Sequence, residues 1–338
     1  MSTRLWIILL FLASPCVPAD SPQQLAAIGD LPLVSGEILH DVRLGYRTAG
    51  TLNADKSNVI VFPTWFTGSS EDLQRFDKIG PGKLADTDRF YVIAIDALGN
   101  GISTSPSNSE RQPGADFPAI QIDDMVNAAH ALLTRQLGIA HVHAVMGISM
   151  GGMQTFQWLG QYPDFMDKAV PLDGTPKQTS YDLLVWQAQE QAIELLQAKG
   201  ADNAEIMGLI DSLGLLTLWT PDWFVANVPP EGLAAFRAEN ASGEEPMDPH
   251  DYLAQLRAML AHDVYADFAE PAYPEHIRAK VLVVGVPADH LVNPAPGKAL
   301  AEAVGARYAE IQSNCGHIGT SCEAWKVEAI VNAFLQEH

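Results

Sequence analysis

The chain has 338 residues, 47% of them hydrophobic and 18% charged, and a mean hydropathy of +0.03. That balance describes a globular protein with ample material for a core, in one large domain or two small ones. The formal net charge of −21 argues against nucleic acid and anionic membrane surfaces as partners, because both would repel it.

At the N-terminus Arg4 precedes an unbroken apolar run over residues 5–13, and Val17-Pro18-Ala19 offers a small-residue cleavage site before Asp20. The run is too short to span a bilayer. Residues 1–19 therefore read as a secretory signal peptide, and the expected location is periplasmic or secreted, with no membrane association once the signal is removed. A lipoprotein leader would need a small residue before Cys16, where Pro15 stands, and a buried N-terminal helix would need an amphipathic pattern that is missing. Beyond the signal, Cys315 and Cys322 flank His317. In an oxidising compartment they could pair and close a short loop; two free thiols fit the sequence nearly as well, because spacing does not establish bridging geometry.

Residues 33–51 alternate loosely, with glycine turns expected at Gly36 and Gly45, and read as antiparallel strands or a hairpin. Residues 58–63 and 89–98 read as buried strands; the loop Thr64-Trp65-Phe66-Thr67-Gly68-Ser69-Ser70 follows the first, and a Gly-, Ser-, Asn- and Pro-rich loop follows the second. Residues 122–137 carry apolar residues at helical spacing, 142–146 form another apolar run, and 168–172 form a further strand ending in Asp173-Gly174. From 178 to 268 the pattern is helical, with Trp186, Trp219 and Trp223 and no convincing strand. Strands return over 280–286 and 306–311, and a closing helix spans 323–336. The alternation predicts an α/β fold, a mostly parallel sheet with helices on both faces. Residues 20–177 and 269–338 form the core domain, and 178–268 an inserted helical lid.

The apolar run 142–146 leads into Gly147-Ile148-Ser149-Met150-Gly151 and then a helix-compatible stretch. This is the G-x-S-x-G arrangement, in which a sharp strand-to-helix turn exposes a serine. Ser149 is the candidate nucleophile, with the Met150 N–H at the new helix N-terminus as an oxyanion donor. A serine nucleophile needs a base, and the base needs an orienting carboxylate. Asp289 follows the 280–286 strand and His317 follows the 306–311 strand, both at the sheet edge where such folds bind ligands. They are assigned as acid and base, with Asp173 the alternative acid. His290 reads as a structural or rim residue, and His130, His141, His143 and His262 as structural. No spacing suggests a metal site, and no cofactor is expected. A second oxyanion donor is expected from Phe66, with Trp65 the alternative; both rings could equally pack a pocket wall.

The chain resembles the homoserine O-acetyltransferase family of the α/β-hydrolase superfamily over most of its length. The resemblance lies in Ser35-Gly36-Glu37-Ile38 with residues 44–53, in residues 117–133 including Ile122-Asp123-Asp124-Met125-Val126, and in Gly147 to Gln154 with Trp158. It implies the α/β-hydrolase fold with Ser149 as nucleophile, Asp289 as acid and His317 as base. Family acetyltransferases place an aspartate directly after the catalytic histidine, where this chain has Ile318, and a carboxylate-binding arginine in the lid, whose sequence here is unlike theirs. A zwitterionic substrate would leave unpaired charge in a dry site. The leading expectation is thus an exported serine hydrolase acting on a small-molecule carboxylic ester. The alternatives are an O-acyltransferase passing the acyl group to an alcohol and a non-catalytic binding protein on the same fold. A homodimer is a further open expectation, and the lid tryptophans read either as core or as a site for an apolar acyl or alcohol group.

Overall fold

The computed structural model describes residues 22–240, 247–266 and 273–337. The signal-peptide expectation concerns residues 1–19, which lie outside the described residues.

A hairpin opens the fold. Strand β1 (Gln24–Pro32) pairs antiparallel with β2 (Ile38–Ala49), and Gly36, at φ +87°, makes the turn between them. The hairpin therefore begins earlier than the alternation from residue 33 suggests. Gly45 is not a turn but an interior residue of β2. A Cβ there would stand 2.5 Å from Asp96 Oδ2 and 2.7 Å from Ile102 Cγ2, so the glycine serves close packing.

The sheet continues with β3 (Val59–Pro63), β4 (Tyr91–Ile95), β5 (Val142–Ile148), β6 (Met166–Leu172), β7 (Lys280–Gly285) and β8 (Arg307–Glu310). Its order is β1-β2-β4-β3-β5-β6-β7-β8, antiparallel at β1/β2 and β2/β4 and parallel beyond. The apolar runs are continuous because both faces of the sheet are covered. Val59, Val61, Ile93, Val145, Ala169 and Val283 enter one hydrophobic core, while Ile60, Phe62, Val92, Met146, Val170 and Val284 enter the other. Helices α1 (Ile122–Ala131), α2 (Met150–Gln161) and α8 (Ala295–Ala303) cover the first face; α9 (Ala324–Leu335) and the short helix Ser70–Arg75 cover the second. The helix expected over 122–137 ends its regular part at Ala131 and continues through Leu132–Gln136 as a wider π-helical turn.

Between β6 and β7 the described chain is helical: α3 (Ser180–Ala198), α4 (Asn203–Leu218), α5 (Pro221–Asn227), α6 (Leu233–Glu239) and α7 (Pro249–Leu260). Four of these helices begin with side-chain caps, Asp248 serving α7 by accepting the His250 N–H at 2.8 Å. Thr179 and Asp202 form capping boxes for α3 and α4, and Thr220 caps α5 with proline in its first turn. Trp186 is buried against the core, whereas Trp219 and Trp223 stack on each other at 3.8 Å and stay partly exposed.

Candidate active site

Ser149 occupies the turn between β5 and α2 with φ +58° and ψ −121°. A serine holds that strained conformation only where its surroundings over-determine it. Its N–H donates to the Leu172 carbonyl at 2.9 Å, and its carbonyl accepts the Met153 N–H at 3.0 Å. The flanking glycines let strand and helix close on it. A Cβ on Gly147 would lie 2.3 Å from the Gly151 backbone, and one on Gly151 would lie 2.6 Å from the Pro63 carbonyl oxygen. Both obstacles are backbone atoms, so neither can swing aside.

The loops after β7 and β8 bring two further side chains to this turn. Asp289 Oδ1 accepts the N–H groups of Leu291 and Val292 at 2.9 and 3.0 Å, which aims the other oxygen at His317. His317 Nδ1–H donates to Asp289 Oδ2 at 2.6 Å, and Ser149 Oγ–H donates to His317 Nε2 at 2.9 Å. All three residues are buried. The carboxylate fixes the tautomer, leaving Nε2 as the lone-pair nitrogen facing the hydroxyl. Burial by itself lowers the basicity of His317; the charge and hydrogen bond of Asp289, with the charges of Asp173 and Asp182 behind, outweigh it and hold its pKa above the ordinary value.

The loop carrying His317 is closed by a disulfide between Cys315 and Cys322. Of the two arrangements the sequence leaves open, the structure contains the bridge. Asp173 does not bond to His317. It follows β6 at φ +46°, fully buried, and accepts the Thr320 hydroxyl proton at 2.6 Å. His290 bonds to the carbonyls of Ala288 and Leu216. His141 pairs with Asp167, His143 with the Leu335 carbonyl and His262 with the Thr175 carbonyl, and His130 stacks on Tyr162 at 3.9 Å.

Met150 is the first residue of α2, where helix N–H groups lack intrahelical acceptors. The loop after β3 lies beside it, tied by a bond from the Gln154 side chain to the Thr64 carbonyl at 3.2 Å. Within that loop the N–H groups of Trp65 and Phe66 meet no acceptor among the described residues, while Thr67 N–H is taken by Gln255. Trp65 and Phe66 are thus the two backbone donors left open there. The Phe66 ring packs against Tyr252 of α7 at 4.6 Å and Trp186 of α3 at 5.8 Å. Sequence reasoning passed over Gln255. Its signal is a polar residue on the stripe Tyr252, Leu256, Met259 of an amphipathic helix.

The sheet order, the strained serine after β5 and the histidine after β8 together define an α/β-hydrolase. Residues 58–201 match a family model described as alpha/beta hydrolase fold. An ethyl acetate hydrolase of Pseudomonas veronii is 36% identical over 60% of this chain and 60% of its own. A homoserine O-acetyltransferase of Methanohalobium evestigatum is 30% identical over 90% of this chain and 71% of its own. The solved structure of an acetylester hydrolase from Corynebacterium glutamicum is similar with a TM-score of 0.86 at 26% identity, covering 94% of this chain and 96% of that one. The chain belongs to the homoserine O-acetyltransferase-like family of the α/β-hydrolase superfamily. The chain's match spans 50% to 60% of the length of two esterase relatives, and the relatives divide between ester hydrolases and homoserine O-acetyltransferases.

Proposed function

We propose that this protein is an exported serine hydrolase that cleaves a small carboxylic ester through an acyl-enzyme on Ser149. The observation that carries the reading is the continuous relay from Ser149 Oγ through the His317 imidazole to Asp289, at 2.9 and 2.6 Å. Ser149 Oγ attacks the ester carbonyl carbon as its proton passes to His317 Nε2. The carbonyl oxygen becomes an oxyanion facing the N–H of Met150 and that of Phe66, with Trp65 the alternative donor. The intermediate collapses, and the alcohol leaves with the proton from Nε2. Water then gives a proton to Nε2 and attacks the acyl-enzyme; the acid departs and Ser149 recovers its hydrogen. Asp289 keeps its charge throughout and stabilises the imidazolium.

Transfer to an alcohol shares the first half of this cycle, and the 30% identity to a homoserine O-acetyltransferase over 90% of the chain favours keeping it as the second reading. Hydrolysis is preferred because Ile318 stands where family acetyltransferases carry an aspartate. An apolar side chain there gives the amino group of homoserine no partner. The esterase relatives support the same choice. Export rests on the apolar run 5–13 and the Val17-Pro18-Ala19 site, and on a disulfide suited to an oxidising compartment. The division into a core of 20–177 and 269–338 with a lid of 178–268 belongs to the same proposal.

The test is a fluorophosphonate reaction with adduct mapping, followed by a panel of p-nitrophenyl esters with and without an alcohol acceptor. Labelling of Ser149 and steady release of free acid without acceptor are expected. No adduct on Ser149 of folded protein would refute the enzyme. An acyl-enzyme that persists until alcohol is added would establish transfer instead.

A further inference from the structure

Gln255 lies on the buried face of α7 and has no exposed surface. A primary amide left unpaired in such a place would bear the full desolvation penalty of each missing bond. Both of its ends are paired, and both to the backbone of core loops. Oε1 accepts the Thr67 N–H at 2.8 Å, and Nε2 donates to the Leu98 carbonyl at 3.0 Å. Reversing the amide would set N–H against N–H and carbonyl against carbonyl, so the partners fix its orientation. Gly99, at φ +82°, makes room for the side chain: a Cβ there would approach Gln255 Cγ to 3.1 Å. Asp251, one turn earlier on the same face, accepts from the Ser107 N–H and hydroxyl at 2.8 and 2.5 Å. The lid helix is therefore stitched to the loops after β3 and β4 by two buried side chains.

The stitch to β3 has a particular target. Thr67 adjoins Phe66, and its φ of +63° is one a β-branched residue adopts only when its surroundings impose it. The Gln255 bond points the Thr67 N–H toward the lid and, across the same peptide plane, the Phe66 carbonyl away from it. Trp65 and Phe66 then keep N–H groups without acceptors among the described residues, beside the helix start at Met150. We propose that Gln255 is a positioning residue of the oxyanion site, holding the Thr67 peptide so that the open N–H of Phe66 or Trp65 faces the ester oxygen. The inference rests on the serine ester-hydrolase reading above. It makes the oxyanion alignment depend on the docked lid, whose Tyr252 also packs the Phe66 ring.

The experiment compares Q255M, Q255E and S107A with the wild-type protein, using turnover of p-nitrophenyl acetate and amide hydrogen exchange over residues 64–70. Q255M keeps length and apolar bulk but neither bond. Its kcat is expected to fall roughly 10- to 100-fold with KM changed by less than about twofold, and exchange over 64–70 to accelerate while β5 and β7 stay protected. Q255E should retain most of the activity, because a buried carboxyl favours its neutral form, which can accept from Thr67 and donate to Leu98. S107A loosens the same helix without touching Thr67, so a loss equal to that of Q255M would assign the effect to lid docking in general and overturn the proposal. Turnover by Q255M close to wild type would overturn it as well. If Q255M does not fold, Q255N, whose shorter amide does not span both partners, is read the same way. If wild-type protein turns over no ester, the hydrolase reading falls, and exchange over 64–70 alone decides whether Gln255 orders the turn.

Discussion

Thr320 donates its hydroxyl proton to Asp173 Oδ2 at 2.6 Å, from within the same disulfide-closed loop that carries His317. The other oxygen of Asp173 has no partner among the described residues. Burial first, and then the nearby charge of Asp289, pushes the Asp173 pKa up to about 7. A second carboxyl thus changes its charge close to neutrality, beside the proposed base but not bonded to it.

The pH profile should register this. His317 acts as a base only when neutral, so kcat/KM should rise with pH through a pKa above the ordinary imidazole value of 6.5. Asp173 is one of the charges that raise it. Asp173→Asn should therefore move the acid limb of the profile to lower pH, and a limb that stays in place would break the electrostatic link.

The same residue makes a stability prediction. The folded pKa of Asp173 lies above its unfolded value of 3.8, so the native state holds more protons between the two values. Stability from this group is complete below about 3.8 and is lost as pH rises toward about 7. A displacement of that size corresponds to roughly 4 kcal/mol. Asp173→Asn, which does not ionise, should melt above wild type at pH 8 and lose most of that advantage at pH 5, as followed by thermal denaturation.

Asp289→Asn should separate orientation from binding. The amide cannot carry the charge that stabilises the imidazolium, and its NH2 group favours the wrong histidine tautomer. In serine proteases the same replacement leaves the geometry intact and still removes most of the turnover, so kcat here should drop about 10³- to 10⁴-fold with little change in KM. Steady-state kinetics on a p-nitrophenyl ester would check it, and a fall of only severalfold would return the acid role to another carboxylate.

Reduction of Cys315–Cys322 should loosen the loop that holds His317. Closing so short a loop removes unfolded-state entropy worth about 2.5 kcal/mol. Protein treated with reductant should melt several degrees lower and turn over more slowly, and reoxidation should restore both. Mass analysis without reduction should find the two cysteines linked; free alkylation of both would refute the pairing.

Much of the fold was legible because the signals are local. Five contiguous apolar runs mark β3, β4, β5, β6 and β7, and their continuity already implied a sheet covered on both faces. The G-x-S-x-G spacing placed Ser149 on its turn because only glycine tolerates the approach of Gly147 to Gly151. The hairpin is less legible. Residues 24–29 alternate only between partial and full exposure and Leu31 is the one buried residue of the strand, so β1 carries little apolar contrast, while Gly45 looks like a turn and is a packing glycine.

The sequence by itself determined the elements, the strained serine and the short list of groups that could serve it. Each of these is written in neighbouring residues, through periodicity, glycine placement and position after a strand. Tertiary structure decided which of the candidates meet. It joined His317 to Asp289 and Asp173 to Thr320, paired the cysteines, and set Gln255 against Thr67, 188 positions away in the chain. Such pairings depend on how loops from separate strands converge at one sheet edge, and on which buried polar groups find partners there. No local pattern carries that information, because a hydrogen bond is specified by tenths of an ångström in space and not by spacing along the chain.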